Sequence, residues 1–379
     1  MKIGIDCRQF YDYHLNVGAG IERYSYHLVR NLLKHDQENE YVLFFYSDIS
    51  PETIKKVKGK NSRVKVIKTL RQGSKIPFWD SHIKFSWIMK KEKLDLAIFP
   101  ANIVPLFYFG RSILVIHDLA IFLYPEWFPD KQWFSKKILV PAGLRRADKI
   151  ITVSNSTKND LLKLFNVDEK KIKMIYPGVV IKDKYLDKEF DKIRQKYDIK
   201  NEYALFVGTI EPRKNILNLI KAFSNYIFEN EESRLILVLA GIKGWKHKKI
   251  FKYLNKINKR IFGSRIKYIG KISNRERNIL IKNCQVFVFP SLYEGFGFPV
   301  VEAMRLGAPV ITSNKASLQE IGRDAAALIN PADVNSIRKQ IKKVCENKNF
   351  RQKLIVQGHK RADQLTWEKA ITEFKALLK

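Results

Sequence analysis

The feature of this sequence that most constrains its fold is a repeated alternation of short β-branched runs with longer amphipathic segments. The first half contains seven such runs: Lys2–Cys7, Glu40–Tyr46, Val64–Ile67, Leu96–Phe99, Ser112–Ile116, Lys149–Val153 and Lys173–Ile175. The pattern then restarts with five more: Tyr203–Val207, Arg234–Ala240, Ile266–Ile269, Val286–Phe289 and Pro309–Thr312. Such alternation is typical of βαβ units and of parallel sheets covered by helices. The sequence therefore predicts an α/β protein with two doubly wound, Rossmann-like domains.

Length and turn residues place the boundary between these domains. A chain of 379 residues exceeds the size at which a single hydrophobic core stops growing. Tyr176-Pro177-Gly178 has turn chemistry, and the charged stretch 182–191 has no clear helical period. We therefore predict an N-terminal domain over residues 1–181 and a C-terminal domain over residues 182–362. The last helix, predicted over residues 363–379, is longer than the second sheet needs, and we expect it to pack back on the first domain.

The formal net charge of +32 is distributed unevenly along the chain. No acidic residue lies between Glu232 and Glu276, and Lys or Arg recurs throughout that stretch. A second basic stretch, Lys55–Lys93, interleaves its cations with apolar and aromatic residues: Ile76, Phe78, Trp79, Phe85 and Trp87. Such charge attracts anionic lipid or nucleic acid, or it reflects a lysine-rich composition spread over a solvated surface. We expect an anionic membrane surface as a partner. Nucleic acid is not expected, because the sequence has no aromatic RNA motif, zinc-ligand spacing or recognisable helix-turn-helix.

The apolar runs and the cysteines bear on cellular location. The runs are strand-length, far below the ~18–20 residues that span a bilayer. Lys2 and Asp6 interrupt the apolar stretch that a signal peptide needs. Cys7, Cys284 and Cys345 are odd in number and widely spaced, which favours a reducing compartment and offers no metal-ligand spacing. We expect a cytoplasmic protein.

Two glycines mark a turn before a predicted helix. Gly18-Ala19-Gly20 opens a segment whose apolar positions recur at helical spacing, and glycines allow the backbone to approach an anion at a helix N-terminus. A dinucleotide fingerprint needs a third glycine where Arg23 stands and should follow the first strand directly, whereas residues 8–17 intervene. NAD binding is therefore disfavoured. An anion-binding loop and a structural tight turn both stay open.

Polar residues follow two further strands of the first half. His117-Asp118 comes directly after Ser112–Ile116, at a carboxyl end where open α/β sheets bind ligands. A lone histidine is a candidate for catalysis there, and a structural role is the alternative. Ser154-Asn155 follows the strand that ends at Val153, and a helix cap is the better interpretation for that pair.

The first strand of the second half runs into a cationic segment. Gly208-Thr-Ile-Glu-Pro-Arg213-Lys214-Asn215 leaves the strand and leads into an amphipathic helix. Two adjacent cations beside a helix start suit a diphosphate, through side-chain charge as well as the helix dipole. The alternative is an ordinary surface Arg-Lys pair.

The most informative segment is Phe289-Pro-Ser-Leu-Tyr-Glu294-Gly-Phe-Gly-Phe-Pro299-Val-Val-Glu302. Gly295 and Gly297 allow a loop to lie close to a ligand, and Pro299 suits the first turn of a helix that contains Glu302. A carboxylate does not favour a phosphate, so Glu294 and Glu302 should accept hydrogen bonds from hydroxyl groups. Sugar hydroxyls are the natural partners.

Taken together, these segments resemble family 4 of the retaining glycosyltransferases, which have the GT-B fold of two Rossmann-like domains facing a central donor cleft. Glu294 and Glu302 match the family's E-x7-E motif, and residues 208–215 match the phosphate loop of its mannosyltransferase-rich branch. The resemblance extends from Gly18-Ala-Gly20 to the helix around Trp367. Residues 51–93 do not match the family pattern, and we expect them to be specific to the acceptor.

The resemblance implies a role for each motif residue. Glu302 is expected to bind the donor ribose, Glu294 the hydroxyls of the transferred sugar, and Arg213 with Lys214 the diphosphate. The other implied donor contacts are the backbone amides of Phe296, Gly297 and Phe298, the loop Gly18, Ala19 and Gly20, and His117 beside the transferred sugar. The leaving phosphate is expected to deprotonate the acceptor on the same face of the sugar. No metal or other cofactor is expected, since paired cations can take the metal's place and the sequence has no D-x-D motif.

The function implied is transfer of a hexose, with mannose from GDP-mannose favoured, onto a glycan or lipid-linked acceptor in the synthesis of cell-surface polysaccharide or lipopolysaccharide. The expected location is the inner face of the cytoplasmic membrane, as a peripheral protein. The alternatives are a GT-B enzyme of another kind, such as a glycogen-synthase-like or sugar-phosphate synthase or a nucleotide-sugar hydrolase, and a basic nucleic-acid-binding protein.

Overall fold

The computed structural model describes residues 1–12, 20–67, 78–128, 135–181, 189–260 and 265–378. The chain forms two compact units. The first unit comprises residues 1–125, 130–178 and 366–379, and the second comprises residues 126–129 and 179–365. Gly18 and Ala19 of the predicted glycine loop, and Ile76 of the basic stretch, lie outside the described residues.

The first unit is built on a seven-stranded parallel sheet. Its strands are β1 (Lys2–Asp6), β2 (Glu40–Tyr46), β3 (Ser62–Ile67), β4 (Leu96–Phe99), β5 (Ser112–Ile116), β6 (Lys149–Thr152) and β7 (Ile172–Met174). They lie in the order β3-β2-β1-β4-β5-β6-β7, and every neighbouring pair is parallel. The strand order reverses between β1 and β4, as expected of a doubly wound sheet.

Helices and short helical turns connect these strands. The α-helices are α1 (Gly20–His35), α2 (Pro51–Val57), α3 (Phe85–Lys91), α4 (Ala120–Leu123), α5 (Val140–Arg146) and α6 (Asn155–Leu164). The turns are π-helical at Trp79–Lys84 and Ser135–Leu139, and 3-10 at Pro125–Trp127 and Glu169–Lys171. Ser154 caps α6, because its side chain accepts a hydrogen bond from the backbone N–H of Thr157.

The second unit repeats the plan with a six-stranded sheet. Its strands are β8 (Tyr203–Val207), β9 (Ile236–Ala240), β10 (Ile266–Gly270), β11 (Val286–Phe289), β12 (Val310–Ser313) and β13 (Ala327–Ile329). They lie in the order β10-β9-β8-β11-β12-β13, all parallel. The α-helices are α7 (Phe190–Lys196), α8 (Ile216–Glu229), α9 (Lys248–Asn258), α10 (Asn274–Lys282), α11 (Phe298–Arg305), α12 (Ala316–Gly322), α13 (Val334–Glu346) and α14 (Lys348–Asp363). Two 3-10 turns are Pro212–Lys214 and Arg323–Ala325. The reversal point here lies between β8 and β11.

The end of the chain belongs to the first unit. Helix α15 (Trp367–Lys375) begins after the cap residue Thr366 and packs against α1. The Trp367 ring stacks on His27 and lies 5.4 Å from the ring centroid of Tyr24. The single helix predicted to begin at Asp363 is wrong in that detail. Asp363 is the last residue of α14, and the chain turns at residues 364–366 before α15 starts.

All twelve predicted strands are present, with ends that differ by no more than two residues. β13 was not predicted, because its three residues, Ala327, Leu328 and Ile329, are too few to show a periodic pattern. Of the aromatic residues in the basic stretch, Trp79 and Trp87 are exposed, but Phe85 is completely buried. Its inclusion in a surface stretch was wrong, because Phe85 packs into the apolar core of the first unit.

Among the residues that the structure describes, no helix combines the length and the apolar character needed to cross a bilayer.

Candidate active site

The reversal point of the second sheet brings two loops together. One loop follows β8 and contains Arg213 and Lys214, and the other follows β11 and contains Glu294. The N–H of Leu292 donates to the carbonyl oxygen of Arg213 at 2.9 Å, and the amide of Asn215 donates to the carbonyl oxygen of Pro290 at 3.1 Å. Open α/β sheets bind ligands at this point. The two predicted motifs of the second unit therefore form one site.

A left-handed residue separates the two cations from helix α8. Arg213 and Lys214 end a 3-10 turn, and Asn215 follows with φ 59°. Asparagine tolerates this conformation better than most residues. The Asn215 side chain is buried and donates to the carbonyl oxygens of Pro290 and Pro331. The sequence predicted that the cations adjoin a helix start, and the structure adds that Asn215 fixes the turn that presents them.

Glu294 lies between the two cations. Its Oε1 is 2.5 Å from Nζ of Lys214, and its Oε2 is 3.3 Å from Nη1 of Arg213. Arg213 also donates from Nε to Oε1 of Glu211 at 3.2 Å. Glu294 is 8 % exposed and Lys214 is 9 % exposed. Two cations and two carboxylates thus form one desolvated network, in which each charge has a partner.

Opposing effects set the ionisation of this pair. Burial alone would raise the pKa of Glu294, but the nearby Arg213 and Lys214 outweigh burial and hold that pKa below its ordinary value. Burial lowers the pKa of Lys214, the adjacent Arg213 lowers it further, and Glu294 opposes both. Nζ of Lys214 donates to Oε1 of Glu294, and hydrogen bonds between ionised partners are stronger than neutral ones. We therefore describe the pair as an ammonium and a carboxylate.

The loop after Glu294 turns into helix α11 at a glycine. Gly297 has φ +100°, and a Cβ atom there would lie 2.6 Å from Cδ2 of Leu318. The backbone conformation therefore favours glycine, and an added Cβ would also displace the end of the Leu318 side chain. The hydroxyl of Ser317 donates to the carbonyl oxygen of Glu294 at 2.7 Å and anchors the loop.

The aromatic residues of this loop frame the helix start. The rings of Phe296 and Phe298 meet edge to face, with centroids 5.0 Å apart. Pro299 occupies the first turn of α11. The first N–H groups of a helix lack partners within the helix, and they favour an anionic ligand.

Glu302 lies in the next turn of α11 and faces a cation that the sequence reasoning missed. Its Oε1 is 3.4 Å from Nη2 of Arg277, a residue of α10. Glu302 is 4 % exposed, and the Arg277 side chain is also largely buried. Nothing in the sequence singles out Arg277, because its partner is 25 positions away on a different helix. Both predicted glutamates are thus paired with cations, Glu294 with Lys214 and Arg213, and Glu302 with Arg277.

His117 is in the first unit, directly after β5. Its Nε2 lies 2.7 Å from the carbonyl oxygen of Pro100. A ring nitrogen that faces a carbonyl oxygen carries the proton, so Nε2 is the donor. Burial lowers the pKa of His117, and the imidazole is therefore neutral at pH 7. Its backbone N–H donates to Oδ1 of Asn102, and its carbonyl oxygen accepts from the Thr157 hydroxyl.

Helix α1 meets His117 near its N-terminus. Gly20 is the first residue of α1, and the ring of Tyr24, one turn later, lies edge to face with His117 at 4.6 Å. The structure therefore brings the predicted His117 and the start of α1 to the same edge of the first sheet. Among the described residues, no group of three or more His, Cys, Asp or Glu side chains is arranged to hold a metal ion.

Comparison with known proteins identifies the family. The family model described as "Glycosyltransferase Family 4" matches residues 18–183. The model described as "Glycosyl transferases group 1" matches residues 187–361. O-antigen chain mannosyltransferase B of Escherichia coli is 32 % identical over 271 residues, which cover 69 % of this chain and 68 % of that protein. The chain belongs to glycosyltransferase family 4.

Other relatives of this glycosyltransferase differ in length. Serotype-specific mannosyltransferase WbdA of Escherichia coli is 28 % identical over 275 residues, or 71 % of this chain, but the match spans only 33 % of WbdA. Among solved structures, HepE of Anabaena in complex with UDP-glucose has a TM-score of 0.74 at 17 % identity, covering 100 % of this chain and 99 % of that one. The glycosyltransferase therefore has the GT-B fold, as predicted.

Proposed function

We propose that this enzyme transfers mannose from GDP-mannose to a glycan or lipid-linked acceptor in the assembly of an O-antigen or related lipopolysaccharide, with retention of the anomeric configuration. The single observation that carries the donor site is the placement of Arg213 and Lys214 against Glu294 at the reversal point of the second sheet. The choice of mannose rests on the mannosyltransferases among the relatives. A nucleotide-sugar donor is also supported by HepE, whose structure contains UDP-glucose.

The donor's diphosphate would take Arg213 and Lys214 as its cations, together with the amides at the start of α11 beside Phe296, Gly297 and Phe298. These groups act where negative charge grows as the leaving diphosphate departs. No step in this scheme needs a metal ion, since two side-chain cations supply the neutralising charge.

The two glutamates would bind different parts of the same donor. Glu302 would accept hydrogen bonds from the ribose hydroxyls, with its carboxylate held by Arg277. Glu294 would accept hydrogen bonds from hydroxyls of the transferred sugar, while Lys214 keeps it ionised.

Retention would follow from attack on the face that the diphosphate leaves. The bond between the anomeric carbon and the phosphate oxygen breaks, the acceptor oxygen bonds to the same carbon on the same face, and the acceptor proton passes to the departing phosphate. A carboxylate nucleophile is not needed. Glu294 suits an orienting role better than a nucleophilic one, because its two oxygens already lie on Lys214 and Arg213.

The proposed location is the cytoplasmic side of the inner membrane, where the enzyme would associate peripherally with anionic lipid. The net charge of +32 supports attraction to such a surface.

A donor screen tests the proposal. Nucleotide-sugars are compared by thermal shift and by donor hydrolysis, and the favoured donor is then offered with lipid-linked acceptors. We expect GDP-mannose to give the largest thermal shift. NMR of the product should show that the bond at the anomeric carbon, axial in the donor, is still axial in the product. A larger shift with another nucleotide-sugar would change the donor, and an inverted product would refute retention.

A further inference from the structure

One helix of the first unit carries an exposed apolar stripe. Trp79, Ile83 and Trp87 follow one another at intervals of four residues, through the π-helical turn Trp79–Lys84 and into α3, and the cation Lys91 comes next at the same interval. This spacing places them on one side of the helix. Trp79 is 53 % exposed and Trp87 is 57 % exposed. The opposite side is buried in the core through residues that include Phe85 and Met89.

A neighbouring loop adds two more exposed rings. Phe107 is 50 % exposed and Phe109 is 80 % exposed, while Tyr108 between them is buried. Tyr108 belongs to the same hydrophobic cluster as Phe85 and Met89. The loop and the helix therefore pack on one core, and the hydrogen bond from the N–H of Leu106 to Nδ1 of His82 makes them neighbours there. We refer to Trp79, Trp87, Phe107 and Phe109 as the aromatic face.

Specific contacts hold the two parts of this face together. The N–H of Leu106 donates to Nδ1 of His82 at 3.3 Å, which joins the loop to the helical turn. From the end of α5, the Arg146 guanidinium donates to the carbonyl oxygen of Leu106. The same guanidinium lies 5.5 Å from the ring centroid of Phe109. The exposed rings are thus presented by a fixed backbone.

The segments that carry and adjoin the aromatic face are rich in cations. The segments 78–91, 105–111 and 140–146 contain six Lys or Arg residues: Lys84, Lys90, Lys91, Arg111, Arg145 and Arg146. They contain one acidic residue, Asp80, and its carboxylate pairs with Lys84. Lys91 also places its Nζ 3.4 Å from the ring centroid of Trp87. The face combines rings that favour an apolar phase with charges that favour an anionic one.

We propose that the aromatic face is the surface by which this enzyme enters the interfacial region of an anionic lipid bilayer. Tryptophan concentrates where hydrocarbon meets headgroups, and interfacial binding grows with buried apolar area and with attraction to anionic lipid. The proposal deepens the peripheral location given above. It differs in naming the inserted residues, and two of them, Phe107 and Phe109, lie outside the basic stretch Lys55–Lys93.

Charge complementarity favours a lipid surface over a second copy of the chain. Two copies meeting through this face would bring like charges together on a protein that carries +32 overall, and like charges across an interface are costly. An anionic headgroup layer instead neutralises the same cations while the rings move out of water.

The experiment compares the full chain with Phe109→Ser and with a quadruple variant in which all four aromatic-face residues become serine. The matched control is Phe228→Ser, which removes a ring that is 48 % exposed on α8 of the other unit. Each protein is sedimented with vesicles of phosphatidylcholine alone or mixed with phosphatidylglycerol, at 0.15 M salt. We expect Phe109→Ser to lower partitioning onto the mixed vesicles about tenfold, the factor for one buried apolar side chain. The quadruple variant should lose more, and Phe228→Ser should match the parent.

Fluorescence provides a readout that does not depend on the quadruple variant folding. Brominated lipid should quench the parent's tryptophan emission, and Trp79→Phe with Trp87→Phe should remove most of that quenching. Equal sedimentation of Phe109→Ser, the quadruple variant and the parent, or no quenching, would overturn the proposal. Two other results would also overturn it. One is self-association of the parent in sedimentation velocity that the aromatic-face variants abolish and Phe228→Ser does not. The other is binding of an acceptor glycan that shows the same pattern. Calorimetry with GDP on the same proteins tests the donor assignment independently. A failure of that assignment can therefore be distinguished from a failure of the lipid-binding proposal.

Discussion

The Lys214 ammonium and the Glu294 carboxylate form a buried ion pair, although 79 residues separate them in the sequence. One member is proposed to bind the donor's phosphate and the other its sugar. A diphosphate that reaches Lys214 therefore meets a cation whose charge is already shared with Glu294. In the proposed donor complex, the two binding events would be coupled through the contact between Lys214 and Glu294.

Removal of either motif glutamate should separate nucleotide affinity from turnover. Glu302→Ala should weaken GDP binding by about ten- to a hundredfold, the worth of a charged hydrogen bond of ~1.5–3 kcal/mol. Glu294→Ala should keep or improve GDP binding, because Lys214 and Arg213 lose a competing carboxylate, while kcat falls as the sugar loses its orientation. Titration calorimetry with GDP and transfer kinetics measure both effects. The opposite pattern in folded proteins would reverse the two assignments.

The ion pair should also contribute to stability. Lys214→Met leaves Glu294 buried with one cation fewer, and we expect the free energy of unfolding to fall by about 3 kcal/mol. The double variant Lys214→Met with Glu294→Leu removes both charges and should recover most of that loss. Urea unfolding of the two variants and the parent measures the difference. A double variant less stable than Lys214→Met would contradict the expected coupling.

The lowered pKa of Glu294 predicts how stability varies with pH. A carboxylate whose pKa is lower in the folded protein stabilises that state above the ordinary value of 4.5, and this contribution is lost as the pH falls below that value toward the folded pKa. Glu294→Gln should therefore show a shallower decline in unfolding free energy below pH 4.5 than the parent. Denaturant melts between pH 3 and pH 7 test this. Parallel curves would show that Glu294 does not titrate in this window.

Arg277 should act through Glu302 as a positioning residue. Arg277→Ala should weaken GDP binding about tenfold, because the carboxylate loses its charged partner, with kcat at saturating donor nearly unchanged. Arg277→Lys should restore part of the affinity. A structural defect would leave the ratio of the affinities for GDP and 3′-deoxy-GDP unchanged. Loss of ribose recognition should instead bring the two affinities closer together. Competition binding with the two nucleotides decides between them.

Chelation tests the cationic phosphate site. With Arg213 and Lys214 as the neutralising charges, transfer should continue at an unchanged rate in EDTA. An enzyme that stops in EDTA and recovers with manganese or magnesium would show that a metal ion carries the diphosphate.

The fold could be predicted from the sequence because its signals are local. A buried strand such as Ser112–Ile116 shows its character within five consecutive residues, and the turn at Gly297 is marked by the glycine itself. The ion pairs could not be predicted. The contacts of Glu294 with Lys214 and of Glu302 with Arg277 join separate elements, and sequence spacing does not encode such distances. Phe85 shows the same limit, because neither its type nor its neighbours distinguish it from the exposed Trp87.

The position of α15 has a consequence for how the polypeptide is made. Trp367 rests on Tyr24 and His27, and Nζ of Lys375 donates to the carbonyl oxygen of His35 at 2.9 Å. The first unit thus depends on residues 366–379, which are translated after residues 179–365, the main part of the second unit. A nascent chain can complete the second unit first. The first unit therefore cannot be completed until the main part of the second unit has been synthesised.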